Sequence, residues 1–279
     1  MERLQAAIEK ARAQRDKTET GTPRFRKKPA VPPKTGQSDT DRPAWEALEA
    51  LQIDGKRLLH NRVTTYEHGD ESAPFDLLRT RMLQQAHDNG WRRIGLVSPN
   101  AGCGKSTVAV NLAFSLARHR DIYSLVLDFD LRRKGMTNVL GQFPSLGTAD
   151  VLRRQADFSD VARRFGPNVA FGLNSERRVQ DPSEILQSSM AAEVLEEIET
   201  KYQPDIVLFD LPPIMDSDDN FGFLKKVDCA LVVVAAEKTS MSQIDVAERH
   251  VAELTNVMGL VLNKCRYPSK TQGQVYGKY

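Results

Sequence analysis

The ten residues SPNAGCGKST, Ser98 to Thr107, combine two glycines, a lysine and small hydroxyl side chains in a spacing suited to a polyphosphate. Gly104, Lys105 and Ser106 match the end of the phosphate-loop pattern G-x-x-x-x-G-K-[ST], with Pro99 where the first glycine normally stands. In such a loop Gly102 and Gly104 let backbone N–H groups turn inward around phosphate oxygens. The N-terminus of a following helix adds partial positive charge. Lys105 would reach the terminal phosphates, the Ser106 hydroxyl would ligate magnesium, and Thr107 is a further phosphate contact. The expected nucleotide-binding stretch is Ala101, Gly102, Cys103, Gly104, Lys105, Ser106 and Thr107. Cys103 reads either as a thiol activated by the loop dipoles and Lys105 or, more plainly, as a variable loop position. A dinucleotide fingerprint fits less well, because Thr107 stands where its third glycine belongs.

Carboxylates follow two apolar runs. LVLDFDLRR brings Asp128 and Asp130, and IVLFDLPP brings Asp210. Ligands of open α/β sheets bind at the carboxyl ends of the strands, where these aspartates would lie. Asp210 is expected to bind magnesium directly or through water. Asp128 or Asp130 could accept a proton from an attacking hydroxyl. One aspartate at a strand end is usually a cap or turn residue; three beside a phosphate loop argue for a site. The Arg132–Arg133 pair reads equally as a phosphate contact or as solvated surface.

The elements that must position these groups are legible as short apolar runs: IGLV (94–97), LVL (125–127), IVLF (206–209), ALVVV (230–234) and GLVL (259–262). Continuous rather than alternating runs indicate parallel strands covered on both faces. Helical spacing marks Pro74 to His87 and Ser106 to Arg118, and Trp45, Leu48, Leu51 and Ile53 suggest a short helix and turn. The expected fold is α/β, a P-loop NTPase with a doubly wound, mostly parallel sheet flanked by helices.

Bulk properties set the limits. The chain has 279 residues, 40% hydrophobic and 27% charged, with a net charge of +2, so no global basicity points to nucleic acid. No apolar run approaches a membrane span and no signal-peptide core is present, so a cytoplasmic protein is expected. Cys103, Cys229 and Cys265 are scattered, which suggests neither a disulfide nor a zinc site. The expected organisation is an amphipathic helix (Leu4, Ile8, Ala11) and disordered linker over 1–44, an N-terminal extension over 45–72, a P-loop domain over 73–265 and a flexible tail over 266–279.

With these motifs in hand, the sequence resembles the bacterial tyrosine kinases, specifically the cytoplasmic CpsD/CapB-type autokinases of exopolysaccharide and capsule synthesis. SPNAGCGKST, LVLDFDLRR and IVLFDLPPI look like their Walker A, A′ and B motifs, and FDLLRTRMLQ, PSEILQSS and GLVLNK extend the likeness over roughly Phe75 to Lys264. The resemblance implies ATP and Mg2+, with Lys105 on the phosphates and Ser106, Asp128 and Asp210 at the metal. It also implies Asp128 as base and Asn263 as the adenine-recognising residue. It further implies tyrosine acceptors in the C-terminal tail, trans-phosphorylation through self-association, and an activating membrane chain-length determinant (Wzz/CapA-like) that recruits the kinase to the inner face of the membrane. Two departures stand out. The family's E-x-x-R-x-x-R motif, aligned on LLRT, leaves Ala73 and Asp76 in place of Glu and Arg, with Arg79 alone matching. The tail is also tyrosine-poor for the family. It still holds Tyr267, Tyr276 and Tyr279, where the composition of 6 Tyr in 279 residues predicts about 0.3. Two other functions share the fold: a ParA/MinD-type switch ATPase, whose signature loop lysine is replaced here by Asn100, and a nucleotide-binding scaffold of a polysaccharide synthase.

Overall fold

A computed structural model describes residues 42–266, except 68, 217 and 218. The N-terminal amphipathic segment and Tyr267, Tyr276 and Tyr279 lie outside the described residues. The strands are β1 (Arg93–Val97), β2 (Ser124–Asp128), β3 (Ala162–Phe165), β4 (Val169–Gly172), β5 (Ile206–Asp210), β6 (Cys229–Ala235) and β7 (Asn256–Asn263). They form one sheet in the order β3-β4-β2-β5-β1-β6-β7, parallel except for the β3–β4 pair. The helices are α1 (Pro43–Glu46), α2 (Gly55–His60), α3 (Ala73–Asn89), α4 (Lys105–Ala117), α5 (Gly135–Leu140), α6 (Thr148–Leu152), α7 (Phe158–Val161), α8 (Pro182–Gln187), α9 (Ser189–Tyr202), α10 (Asp219–Phe223) and α11 (Met241–Leu254).

The central strands are buried on both faces, which is why their sequences read as unbroken apolar runs. Two hydrophobic clusters sandwich them. One contains Phe129, Phe209 and Phe223; the other contains Leu112, Phe114 and Phe171. After β1 the chain crosses to β2, leaving a gap that β5 later fills, and then turns back to β6 on the other side. That reversal opens a crevice at the carboxyl ends of β1, β2 and β5, where the sequence places its carboxylates.

β3 and β4 are not among the runs expected from sequence. β4 is only four residues, and β3 carries Arg163 and Arg164 on an antiparallel edge. The N-terminal extension protects that edge: Leu51 N donates to Arg164 O (2.8 Å) and Arg164 N to Glu49 O (2.7 Å). Trp45 anchors the same segment, with its indole Nε1 donating to Tyr202 O at 2.7 Å and its ring edge-on to Tyr123.

At the far end of α4, Asp76 of α3 accepts from the Ser115 hydroxyl (2.5 Å) and from the guanidinium groups of Arg79 and Arg118. Burial alone would raise its carboxyl, but Ser115, Arg118 and Arg79 outweigh that and hold it below the ordinary carboxylate range. Asp76 and Arg79, which align with the self-assembly motif, are therefore engaged within the subunit.

Candidate functional site

The loop between β1 and α4 is shaped by backbone conformations that favour glycine: Gly102 has φ +78° and Gly104, the N-cap of α4, has φ +89°. A side chain at Gly104 would also collide with Asn263, since a Cβ there would lie 2.3 Å from its Nδ2. Asn263, at the end of β7, donates to Cys103 O at 2.9 Å and so ties the last strand to the loop. Cys103 is itself buried, its Sγ 3.8 Å from Thr239 Oγ1.

Lys105 opens α4 and is 6% exposed, with its ammonium paired to Asp210 and 4.0 Å from Asp130 Oδ2. β2 and β5 run in register with Asp128 directly beside Asp210, and both are fully buried. Asp130 lies past the end of β2 rather than on it, and its N–H donates to Asp128 Oδ1 at 3.3 Å.

Three carboxylates thus face one lysine. Burial pushes the Asp128 carboxyl well above the ordinary range, and the charge of Asp210 adds to the shift. Burial raises Asp130 as well, against the pull of Lys105. Asp128 Oδ2, Asp130 Oδ1 and Asp210 Oδ2 are buried without a hydrogen-bond partner. Such groups are costly unless something binds them.

The residues present fit a divalent cation beside a polyphosphate. Unpartnered carboxylate oxygens supply hard donors, and Ser106 Oγ converges on the same point: a Cβ built at Gly135 would lie 2.2 Å from Ser106 Oγ and 3.5 Å from Asp210 Oδ2. No closed cluster of three His, Cys, Asp or Glu metal ligands exists among the described residues. That suits a cation whose remaining ligands are phosphate oxygens and water.

Several contributing residues carry no sequence signal. Gly135 is one. Asp216 is another, accepting from Ala101 N and from Arg133, each at 3.2 Å. The Arg132–Arg133 pair is not merely solvated: both side chains are engaged by carboxylates. Arg132 forms a two-pronged pair with Asp219 (2.7 and 2.9 Å), and Arg133 bridges Asp216 and Asp130.

Residues 91–278 match the ParA family, described as NUBPL iron-transfer P-loop NTPase. The chain belongs to this ParA family of P-loop NTPases. Within it, the likeness runs to the bacterial tyrosine kinases. The tyrosine-protein kinase YwqD of Bacillus subtilis is 24% identical over 80% of this chain and 94% of its own length. EpsB of Ralstonia nicotianae is 26% identical over 83% of this chain, which spans only 32% of that longer protein. The solved chimerical protein CapA2B2 shares the fold with a TM-score of 0.66 at 21% identity, covering 78% of this chain and 93% of its own. As a ParA-family P-loop NTPase the chain binds nucleotide through its loop. Its cysteines do not gather into a metal cluster among the described residues: Cys103 and Cys229 are buried apart and Cys265 is exposed.

Proposed function

We propose that the chain is an Mg-ATP-dependent protein-tyrosine kinase that phosphorylates tyrosines of its own C-terminal tail and regulates exopolysaccharide or capsule assembly. The observation that carries the chemistry is the set of unpartnered buried oxygens on Asp128, Asp130 and Asp210 facing Lys105 and Ser106 at a helix N-terminus. The naming of relatives such as YwqD supports tyrosine as acceptor, as does the tyrosine excess at 267, 276 and 279.

In this reading the N–H groups of residues 101–107 and Lys105 hold the phosphates, while Ser106, Asp128 and Asp210 hold Mg2+. Bound magnesium supplies charge neutralisation on the phosphoryl group being transferred. Lys105 exchanges its Asp210 contact for the terminal phosphates. Asp128 would accept the tyrosine proton. Asn263, already against the loop, recognises the base. The CapA2B2 chimaera supports a CapA-like membrane partner that recruits and activates a cytoplasmic kinase. No helix among the described residues is long and apolar enough to cross a membrane, in keeping with recruitment through such a partner.

Intact-mass spectrometry after incubation with Mg-ATP tests the proposal. Whole-phosphate increments mapping to the tail tyrosines, lowered at least about a thousandfold in rate by Lys105→Met, are expected. Near-normal phosphorylation in the variant would sink the site. ADP release without added mass would favour a switch ATPase, the reading that ParA membership alone supports.

A further inference from the structure

Beside the carboxylates, a cleft of about 430 Å³ opens between the segment after β2 and the segment after β4. Its lining carries Arg132, Arg133, Lys134, Arg177 and Arg178 against one acid, Glu176. Arg132 and Arg133 are paired to Asp219 and to Asp130 and Asp216, whereas Lys134, Arg177 and Arg178 form no ion pair among the described residues. Arg177 and Arg178 are exposed. The adjoining hollow of about 800 Å³ shares Arg132 and Arg178 but adds Asp181 and Glu184, so the charge bias belongs to the first.

The cleft has a built floor. Asn174 is 3% exposed, donates from Nδ2 to Asp130 O (3.0 Å) and Arg133 O (3.4 Å), and leaves its Oδ1 buried without a partner. Thr137 Oγ1 donates to Asn174 O at 2.8 Å. Gly147 packs so closely that a Cβ there would lie 2.2 Å from Ser175 N. The floor is therefore held rigidly against the backbone of Asp130, a residue in contact range of Lys105.

We propose that this cleft is the acceptor-recognition surface and that it selects an acidic polypeptide segment bearing the tyrosine. The inference rests on the kinase reading and names its substrate class. Charge complementarity decides the occupant: unpaired cations lining a concave cleft attract carboxylates beside the acceptor hydroxyl. The chain's own tail is the opposite case. Residues 266–279 contain Arg266, Lys270 and Lys278 and no acid. A concave cleft with a buried polar floor also fits a peptide better than a flat anionic membrane.

The test uses the full chain with Mg-ATP at low salt and three peptides, with tyrosine flanked by glutamates, serines or lysines. Expected is a kcat/KM about tenfold higher for the glutamate peptide than for the serine peptide, carried by KM. Arg177→Glu with Arg178→Glu is expected to bring that ratio to one or below. Equal rates on the two peptides, or a ratio that survives the double variant, would overturn the proposal. Fluorescence anisotropy of the labelled glutamate peptide with Phe for Tyr reads the cleft independently of chemistry. Saturable binding lost in the double variant, without phosphate on any peptide or on the tail, keeps the acidic-segment cleft and removes the kinase reading. Phosphorylated tail without such binding does the reverse. Co-sedimentation with vesicles of equal phosphatidylcholine and phosphatidylserine, lost in the variant while no peptide binds, would reassign the surface to membrane and overturn the proposal.

Discussion

Helix α4 has a charge cluster at each end, and the two are built on opposite principles. At its C-terminal end one carboxylate, Asp76, meets Arg79, Arg118 and the Ser115 hydroxyl, and Ser72 covers its other oxygen. At its N-terminal end three carboxylates share Lys105, and an oxygen on each of the three has no partner. In the first cluster both carboxylate oxygens are satisfied within the subunit, Arg79 Nε alone being left without a partner, and the cluster holds α3 against α4. The second, on the proposed reading, would be completed by a cation and phosphate. Buried charge by itself does not mark a site; unsatisfied carboxylate oxygens gathered beside a phosphate loop are what point to one.

Substitutions should separate the two ends. Among substitutions that leave the charged groups in place, the largest effect is expected at Gly135, where an added methyl meets Ser106 Oγ and approaches Asp210. Gly135→Ala should slow phosphoryl transfer about a hundredfold and weaken its magnesium dependence, read by titrating the metal in a kinase assay. An unaltered titration would mean that Ser106 is not at the cation. Next, Asp76→Ala should strand two guanidinium groups and cost about 2 kcal/mol in urea unfolding. Smallest is Asp128→Asn, expected to stabilise the ligand-free protein by about 1 kcal/mol at neutral pH while lowering activity, because it relieves like charge beside Asp210.

The pH dependence should carry opposite signs. The folded pKa of Asp76 is depressed, so its stabilisation is present above the ordinary value of 3.8 and fades as pH falls through the lower folded value. The folded pKa of Asp128 is raised, so its penalty is absent below 3.8 and grows as pH rises toward the folded value. Stability of the two variants against wild type, measured by urea unfolding from neutral pH to pH 4, should therefore converge for Asp128→Asn. For Asp76→Ala the deficit should persist over that range.

Most of the sheet was legible because a strand covered on both faces must be apolar throughout, as IVLF and ALVVV are. ARRF of β3 was not, since its identity as a strand comes from pairing with β4 and from the bridge to Ala50, not from its side chains. The loop, Lys105 and the strand-end aspartates were readable because their spacing along the chain is their geometry. Gly135, Asn174 and Asp216 were not, because each matters through a neighbour distant in sequence. The arginine pair's engagement was only partly legible: Asp130 is three residues from Arg133, but Asp216 and Asp219 lie 83 and 87 residues from their arginines.

The hydrogen bond from Asn263 to Cys103 fixes where the tail begins. The last strand ends against the phosphate loop at Asn263, and residues 264–279 follow it in the sequence. Covalent tethering raises the effective concentration of an acceptor whatever its charge. On the proposed kinase reading, an acceptor on the same chain needs no charge attraction of its own. A freely diffusing protein must supply its own attraction. The same cleft would then sort acceptors by whether they arrive attached or must be captured.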